Sequence, residues 1–267
     1  MGFSGNNIGN NRAILFPGQG SQFVGMGQDL YEAYAAAREV VDEADDALGG
    51  TLKHVMFEGS QEELTRTENA QPAILTTSIA MLRVLETERG FDLKTSCKFA
   101  LGHSLGEYSA LVATKSLSLK DAVKLVSFQV VISGSQKGVD HASKVLQARK
   151  IAARAVDLPV SLMQPAAVAM KEALKDIQFE KPIIDVVSNV TAQPIKNASD
   201  ISDLLVRQVT GTVQWHQSIG NLQTIEQVHN YISLGPGKVL ANLMRKEYPR
   251  DFVRTVTSVE DIQHWKL

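Results

Sequence analysis

A serine flanked by glycines is the residue in this sequence best suited to chemistry. It lies in the segment Gly102-His103-Ser104-Leu105-Gly106, whose G-x-S-x-G spacing is typical of a nucleophile elbow. In such an elbow the serine occupies a sharp turn from a strand into a helix, and its hydroxyl is exposed. The turn is strained, and a flanking side chain would block approach to the oxygen, so small residues are needed on both sides. The spacing therefore predicts that Ser104 is a nucleophile.

The backbone after Ser104 is suited to stabilising negative charge on a substrate oxygen. Acyl transfer from a thioester needs a hydroxyl that attacks and hydrogen-bond donors for the oxyanion that develops. The N–H of Leu105, the residue after the nucleophile, is placed to be one of these donors. A helix that begins here adds the positive end of its dipole. Together these features indicate an acyl-transfer site.

A second glycine-rich segment precedes the elbow and makes the pattern more specific. The run Leu15-Phe16-Pro17-Gly18-Gln19-Gly20-Ser21-Gln22 predicts a strand that ends in a loop. Together with the elbow and three further segments in the same order, it resembles the malonyl-CoA:acyl-carrier-protein transacylases, most closely the mitochondrial-type members of eukaryotes. The five matching segments are residues 12–27, 70–73, 102–111, 187–192 and 234–240.

The resemblance implies an activity and a set of site residues. Members of this family move malonyl from coenzyme A to the phosphopantetheine thiol of acyl carrier protein in fatty acid biosynthesis, through an ester on the elbow serine, here Ser104. The likeness places a second oxyanion donor at Gln19, for which a solvated loop amide is the alternative. Gln71, before Pro72, matches a position that lines the substrate cleft, with a helix-start amide as the alternative. Gln129 is a second candidate for the cleft.

The chain departs from the family pattern at two places. The family has an arginine that pairs with the malonyl carboxylate shortly after a Leu-Val pair, whereas Leu125-Val126 is followed here by Ser127-Phe128-Gln129-Val130. The family also has a catalytic histidine just after a Leu-Pro-Val-Ser segment, whereas residues 158–161 pass directly into Leu162-Met163-Gln164. Without a base a serine hydroxyl is a weak nucleophile, so we expect impaired or absent activity. A non-catalytic module that binds acyl carrier protein or coenzyme A is the alternative.

The histidines elsewhere in the sequence do not supply the missing base. His103 is next to Ser104, but adjacent residues on a tight turn point in different directions, so we expect His103 to pack or hydrogen-bond. A thioesterase or lipase would need an acid and a histidine late in the chain. Asp251, Glu260 and His264 have the right residue types but no recognisable context. We expect the remaining histidines to be surface or structural residues: His54, His141, His216 and His229.

Strands that alternate with helices predict an α/β fold with a largely parallel sheet. The resemblance implies an α/β-hydrolase-like core formed by residues 1–126 and 162–267. It also implies that residues 127–161 are the remnant of a truncated ferredoxin-like subdomain.

Four segments give more local predictions. The β-branched run at residues 129–133 predicts a strand, and the missing half of the subdomain would leave its edge exposed. The Ala-rich, acidic residues 30–48 predict one surface helix. Residues 201–210 predict a helix, and residues 231–234 predict a strand that ends at a Gly-Pro-Gly turn.

Composition limits the classes of partner and cofactor. The net charge of −2 gives no electrostatic case for binding nucleic acid, and no apolar run approaches the roughly 20 residues that span a bilayer. The single cysteine, Cys97, excludes an internal disulfide framework and a cysteine-rich metal site. We therefore expect a monomer with no metal or redox cofactor. Its expected partners are malonyl-CoA and acyl carrier protein, and neither nucleic acid nor a membrane.

The first eleven residues give two different predictions of location. They are rich in Gly and Asn and have neither a hydrophobic signal region nor an Arg-rich amphipathic helix. Taken by themselves they predict a cytoplasmic protein with a short leader. The resemblance instead implies a mature protein of the mitochondrial matrix.

Overall fold

Five parallel strands form the centre of the protein. The computed structural model describes residues 11–132 and 160–266, of which residues 128–132 and 160–165 are described by their backbone alone. The strands are β1 (Arg12–Phe16), β2 (Phe99–Gly102), β3 (Asp185–Val186), β4 (Asn230–Leu234) and β5 (Phe252–Val256). Their order across the sheet is β3-β2-β1-β4-β5, and every neighbouring pair is parallel. The predicted α/β class with a parallel sheet is confirmed.

Helices cover both faces of this sheet. Parallel strands buried on both faces have nearly continuous apolar sequences, as β1 and β2 do. The helices of the described residues are α1 (Gln28–Ala33), α2 (Ala35–Ala47), α3 (Leu52–Phe57), α4 (Gln61–Thr65), α5 (Thr67–Arg89), α6 (Leu93–Ser96), α7 (Gly106–Ala113), α8 (Leu119–Ile132), α9 (Val160–Ala173), α10 (Ile201–Thr210), α11 (Trp215–Thr224), α12 (Val239–Glu247) and α13 (Val259–Gln263), with a short 3₁₀ turn at Ala198–Asp200.

Alternate residues of β1 belong to two separate cores. Ile14 and Phe16 pack into the larger core, which is formed mainly by the helices of the first half of the chain and is completed by α9, α10 and α13. Ala13 and Leu15 pack into the smaller core on the opposite face, together with side chains of α11 and α12. In the larger core α5 is central because it packs against both α2 and α8. None of the helices described here combines the length and the apolar character that crossing a bilayer would require.

Two local predictions were confirmed and two were wrong. The helix at 201–210 and the strand at 231–234 are α10 and β4. The predicted helix at 30–48 is instead the pair α1 and α2, because the backbone of Tyr34 is extended, with φ −129° and ψ 131°. The Tyr34 side chain packs on the larger core, so tertiary contacts override the helix propensity of this Ala-rich segment.

The predicted strand at 129–133 is also wrong, since residues 129–132 continue α8. The side chain of Ser118 accepts a hydrogen bond from the N–H of Asp121 at 3.0 Å and so caps the start of this helix. Adding residues to an existing helix is easy, and the modest helix penalty of Val130, Val131 and Ile132 is too small to end it. No exposed strand edge therefore forms at 129–132. Residues 133–159, where the rest of the predicted subdomain falls, lie outside the described residues.

The loops that leave β1, β2 and β4 meet at one end of the sheet. The chain passes from β1 to β2 and β3 on one side and reaches β4 and β5 on the other, so the carboxyl ends of β1 and β4 form a topological switch point. Ligands of open parallel sheets bind in the crevice at such a point. Gly235, after β4, lies so close to Pro17, after β1, that an added Cβ would be 2.6 Å from the proline ring.

Candidate active site

Ser104 occupies the sharp turn between β2 and α7. Its φ of 54° lies in the left-handed region, which costs a non-glycine residue ~1–2 kcal/mol, and the residue is exposed. The helix α7 begins two residues later, at Gly106, so its N-terminal end lies beside the serine. This is the turn that the G-x-S-x-G spacing predicts.

Two glycines allow the strand and the helix to come this close. A Cβ at Gly102 would lie 1.9 Å from the carbonyl carbon of Gly106. A Cβ at Gly106 would lie 2.2 Å from the carbonyl oxygen of Phe16, at the end of β1. In both cases the obstacle is backbone, so any larger residue would displace the turn.

The loop after β1 lies directly against the elbow. A Cβ at Gly18 would be 2.4 Å from the carbonyl oxygen of His103, which brings the next residue, Gln19, to the neighbourhood of Ser104. Gln19 is exposed, and its side-chain Nε2 donates to Oγ1 of Thr67 at 3.2 Å. Within the described residues, the N–H groups of Gln19 and Leu105 donate no hydrogen bond. Both donors are thus available to a substrate oxygen, although their role in an oxyanion hole stays a prediction.

A buried asparagine holds the elbow from the side of β3. The Oδ1 of Asn189 accepts a hydrogen bond from the N–H of Ser104 at 2.7 Å, and its Nδ2 donates to the carbonyl oxygen of Gly102, also at 2.7 Å. The backbone carbonyl of Asn189 accepts from the N–H of Gln214 at 2.7 Å. With its N–H bonded to Glu107, Asn189 makes four hydrogen bonds at only 2% exposure, so its position is tightly fixed.

Glu107 and Gln208 complete this network. Oε2 of Glu107 accepts from the N–H of Asn189 at 3.1 Å and from Nε2 of Gln208 at 2.5 Å. The same amide of Gln208, on α10, also donates to the carbonyl oxygen of Ser104 at 3.2 Å. The side chains of Asn189 and Gln208 therefore bond to the N–H and the carbonyl oxygen of Ser104, and Glu107 accepts from the backbone of Asn189 and the side chain of Gln208.

Glu107 is a buried acid with no counter-ion among the residues that the structure describes. Its side chain is fully buried, and in the described residues no lysine, arginine or histidine pairs with it. Burial raises the pKa of Glu107 to about 7, against the opposing effect of the hydrogen bonds from Asn189 and Gln208. A large share of molecules therefore hold a neutral carboxylic acid here at neutral pH.

The histidines of the described residues all have contacts away from the Ser104 hydroxyl. The ring of His103 lies 5.6 Å from that of Trp215, and burial lowers the pKa of His103. Asp251 contacts His229, at 3.0 Å, and not His264, so the pairing that a hydrolase would need is absent from the described part of the chain. His141 lies outside it. The other contacts are His54 with Glu58, His216 with Tyr248 and His264 with the backbone of Glu260.

The two cleft candidates lie on different helices. Gln71 is in α5, is 9% exposed, and follows Thr67, the partner of Gln19, by one helical turn. Because α5 begins at Thr67, the alternative of a helix-start amide at Gln71 is wrong. Gln129 is in α8, and its side chain lies outside what the structure describes. The roles of both residues in a cleft stay predictions.

Sequence reasoning assigns no role to Asn189, Glu107 or Gln208. Asn189 and Glu107 do lie in segments that match the family, at 187–192 and 102–111, which is the signal that could have found them. Gln208 gives no such signal, because it lies on a half-exposed helix and bonds to a residue 104 positions away.

The described residues offer little to a metal ion or to cysteine chemistry. Among them, no cluster of three or more His, Cys, Asp or Glu side chains is arranged to hold a metal. Cys97 is a buried free thiol, and burial raises its pKa to about 12. It is therefore a poor nucleophile.

Known proteins are similar to this chain in fold and in sequence. A family described as an acyl transferase domain matches residues 14–129. A malonyl CoA-acyl carrier protein transacylase of Bacillus subtilis (strain 168) is 39% identical, covering 94% of this chain and 95% of the relative. An acyl-carrier-protein S-malonyltransferase from Bartonella henselae superposes with a TM-score of 0.82 at 34% identity, over 94% of this chain and 97% of that one. A malonyl-transacylase in complex with its type II PKS acyl-carrier protein superposes with a TM-score of 0.79 at 29% identity, over 94% and 97%.

Proposed function

Because this chain belongs to the malonyl CoA-acyl carrier protein transacylase family, we propose that it carries malonyl as an ester of Ser104 between coenzyme A and acyl carrier protein. One observation carries the proposal. An exposed serine in the left-handed conformation stands at the start of α7, beside the unbonded N–H of Leu105. This is the geometry of a nucleophile whose substrate oxygen meets a backbone donor.

The proposed reaction has two halves of the same kind. In the first, Ser104 Oγ bonds to the thioester carbonyl carbon, and the N–H groups of Leu105 and Gln19 stabilise the oxyanion. The C–S bond then breaks, and the proton lost by the hydroxyl ends on the departing thiol of coenzyme A. In the second half, the phosphopantetheine thiol of acyl carrier protein attacks the Ser104 ester and restores the hydroxyl. Ping-pong kinetics follow from this order.

We propose in addition that this chain transfers malonyl slowly. The family's histidine and arginine have no counterpart after residues 158–161 and after Leu125-Val126. The alignment with the Bacillus relative supports such gaps, because it is 307 residues long and the whole chain has 267. General-base assistance is worth about 10²- to 10⁴-fold, and we expect a rate reduced by a factor of that order.

The proposed partner is acyl carrier protein, which a structural relative holds in its complex. A non-catalytic module that binds this partner or coenzyme A is the second candidate. It is favoured by the contacts of the five described histidines, none of which touches the Ser104 hydroxyl. A monomeric state and a location in the mitochondrial matrix stay predictions, and the relatives named above that have a stated source are bacterial.

Intact mass after incubation with malonyl-CoA tests the proposal. We expect a slowly formed malonyl adduct on the wild-type chain and none on Ser104→Ala, with the Bacillus relative as the positive control. An adduct formed as fast as on that relative would refute the proposed impairment. Binding of malonyl-CoA without any adduct would refute acyl transfer and support the binding module.

A further inference from the structure

We propose that Glu107 is a positioning residue for acyl transfer, which acts through Asn189 and Gln208 to hold Ser104 in its left-handed conformation. The inference rests on the proposed function, because it concerns the same serine. It adds a residue whose carboxyl does not touch the reacting atoms, since the two hydrogen bonds that Glu107 Oε2 accepts come from Asn189 and Gln208, which hold the Ser104 backbone.

The backbone conformation of Ser104 explains why a positioning residue is needed. Ser104 has a φ of 54°, which only surrounding contacts can maintain in a non-glycine residue. Its N–H is held by Asn189 Oδ1 at 2.7 Å, and its carbonyl oxygen by Gln208 Nε2 at 3.2 Å and by the N–H of Glu107 at 3.0 Å. The orientation of the Ser104 peptide groups thus depends in part on where the side chains of Asn189 and Gln208 are fixed.

Glu107 is the group common to both. One oxygen, Oε2, receives the N–H of Asn189 at 3.1 Å and the amide of Gln208 at 2.5 Å. Asn189 and Gln208 come from different parts of the chain, one after β3 and one on α10, so this oxygen links two segments to the elbow. Loss of the acceptor would leave two donors unpaired in a buried site and free both side chains to move.

The role requires an acceptor and not a charge. Glu107 is fully buried, and among the described residues its carboxyl reaches the elbow through hydrogen bonds and not through an ion pair. The amide oxygen of a glutamine could accept the same two hydrogen bonds. The inference therefore separates two substitutions: Glu107→Gln should preserve the elbow, and Glu107→Leu should release it.

Two measurements on the folded chain test this. The first is deuterium exchange of the Ser104 amide, and the second is the rate of malonyl adduct formation per folded molecule. For Glu107→Leu and Gln208→Ala we expect amide exchange at least tenfold faster and adduct formation at least tenfold slower than in the wild type. Glu107→Gln should stay within about twofold in both.

Matched controls separate positioning from general destabilisation. Asp45→Ala removes another buried carboxyl, which accepts the N–H of Lys53 at 2.9 Å. Gln223→Ala removes another glutamine amide bonded to a carboxylate, that of Asp251 at 2.6 Å. Both should destabilise the chain and leave Ser104 exchange and adduct formation within about twofold of the wild type.

The outcomes distinguish this inference from the proposed function. If the wild type forms no malonyl adduct, the proposed function fails and the exchange measurement still decides the role of Glu107. Wild-type exchange in Glu107→Leu would overturn the inference, as would equal effects of Glu107→Leu and Asp45→Ala at equal stability. If Glu107→Leu does not fold, Gln208→Ala decides, because wild-type exchange in that variant would equally overturn it.

Discussion

At each end of the central sheet a glutamine side chain donates a hydrogen bond to a carboxyl oxygen, but the neighbours of the two carboxyls differ. At the carboxyl ends of the strands, Gln208 donates to Glu107 at 2.5 Å, and at the amino ends Gln223 donates to Asp251 at 2.6 Å. Both carboxyl side chains are buried, but Glu107 has no cationic partner among the described residues, whereas Asp251, 1% exposed, also contacts the half-exposed His229 at 3.0 Å. The role of a glutamine–carboxyl pair therefore depends on its neighbours.

The two ends also differ in which group has a shifted pKa. Burial raises the pKa of Glu107 to about 7, so about half of the molecules have this acid neutral near that pH. At the amino end, burial raises the pKa of Tyr231, and the nearby Asp251 raises it further. At one end of the sheet a buried acid with a raised pKa positions a turn, and at the other a buried carboxyl contacts Gln223 and His229.

Glycine substitutions should give the largest difference between the two ends. At the elbow, Gly102→Ala would put a Cβ 1.9 Å from the backbone of Gly106, and we expect it to cost more than about 4 kcal/mol of unfolding free energy. Gly220→Ala, in α11, meets no atom within 4 Å, and we expect a gain of up to about 1 kcal/mol from helix propensity. Urea denaturation measures both, and a wild-type midpoint for Gly102→Ala would contradict the packing described for the elbow.

This difference at the glycines was largely predictable from sequence, because it is local. The G-x-S-x-G spacing places Ser104 on a strand-to-helix turn and requires small residues beside it, and the structure has that turn. The loop of Gln19 was predicted next to it from the family's order of segments, and Gly18 does contact His103. A motif of this kind determines the backbone conformation of one turn, so it can be interpreted without knowledge of the rest of the fold.

What the sequence did not predict depends on contacts between distant segments. The β-branched run at 129–132 suggested a strand, but a helix already capped at Ser118 continues through it. The break at Tyr34 depends on packing against the core, and the role of Gln208 depends on a contact with Ser104 across 104 residues. Secondary-structure propensity and motif spacing do not indicate which distant segments come into contact.

Titration of Glu107, at the carboxyl end, should change the unfolding free energy by an intermediate amount. Its pKa rises from an ordinary 4.5 to about 7 on folding, so the folded chain binds more protons between these values than the unfolded chain. The contribution of Glu107 to the unfolding free energy is therefore greatest below about pH 4.5. It falls by about 3 kcal/mol as the pH rises to about 7. Glu107→Gln cannot titrate and should lack this fall.

Urea denaturation of both chains from pH 4.5 to 8 measures this difference. Gln223→Ala is the control at the amino end, because it removes the corresponding amide without touching Glu107 and should keep the wild-type pH dependence. Equal slopes for the wild type and Glu107→Gln would show that Glu107 is not a buried neutral acid, and the difference between the two ends of the sheet would disappear.

The smallest effect on stability should come from the His229–Asp251 contact at the amino end. His229 is about half exposed, so water can replace its ring beside Asp251, and Gln223 still donates to that carboxylate. Although the Asp251 side chain is 1% exposed, it keeps the hydrogen bond from Gln223, so we expect His229→Ala to cost about 1 kcal/mol of unfolding free energy, the usual net value of one hydrogen bond. It should leave deuterium exchange of the Ser104 amide unchanged, because no hydrogen bond of the elbow network reaches His229. Faster exchange at Ser104 in this variant would mean that the two ends of the sheet are coupled, and Glu107 would then share the control of the elbow with the far side of the molecule.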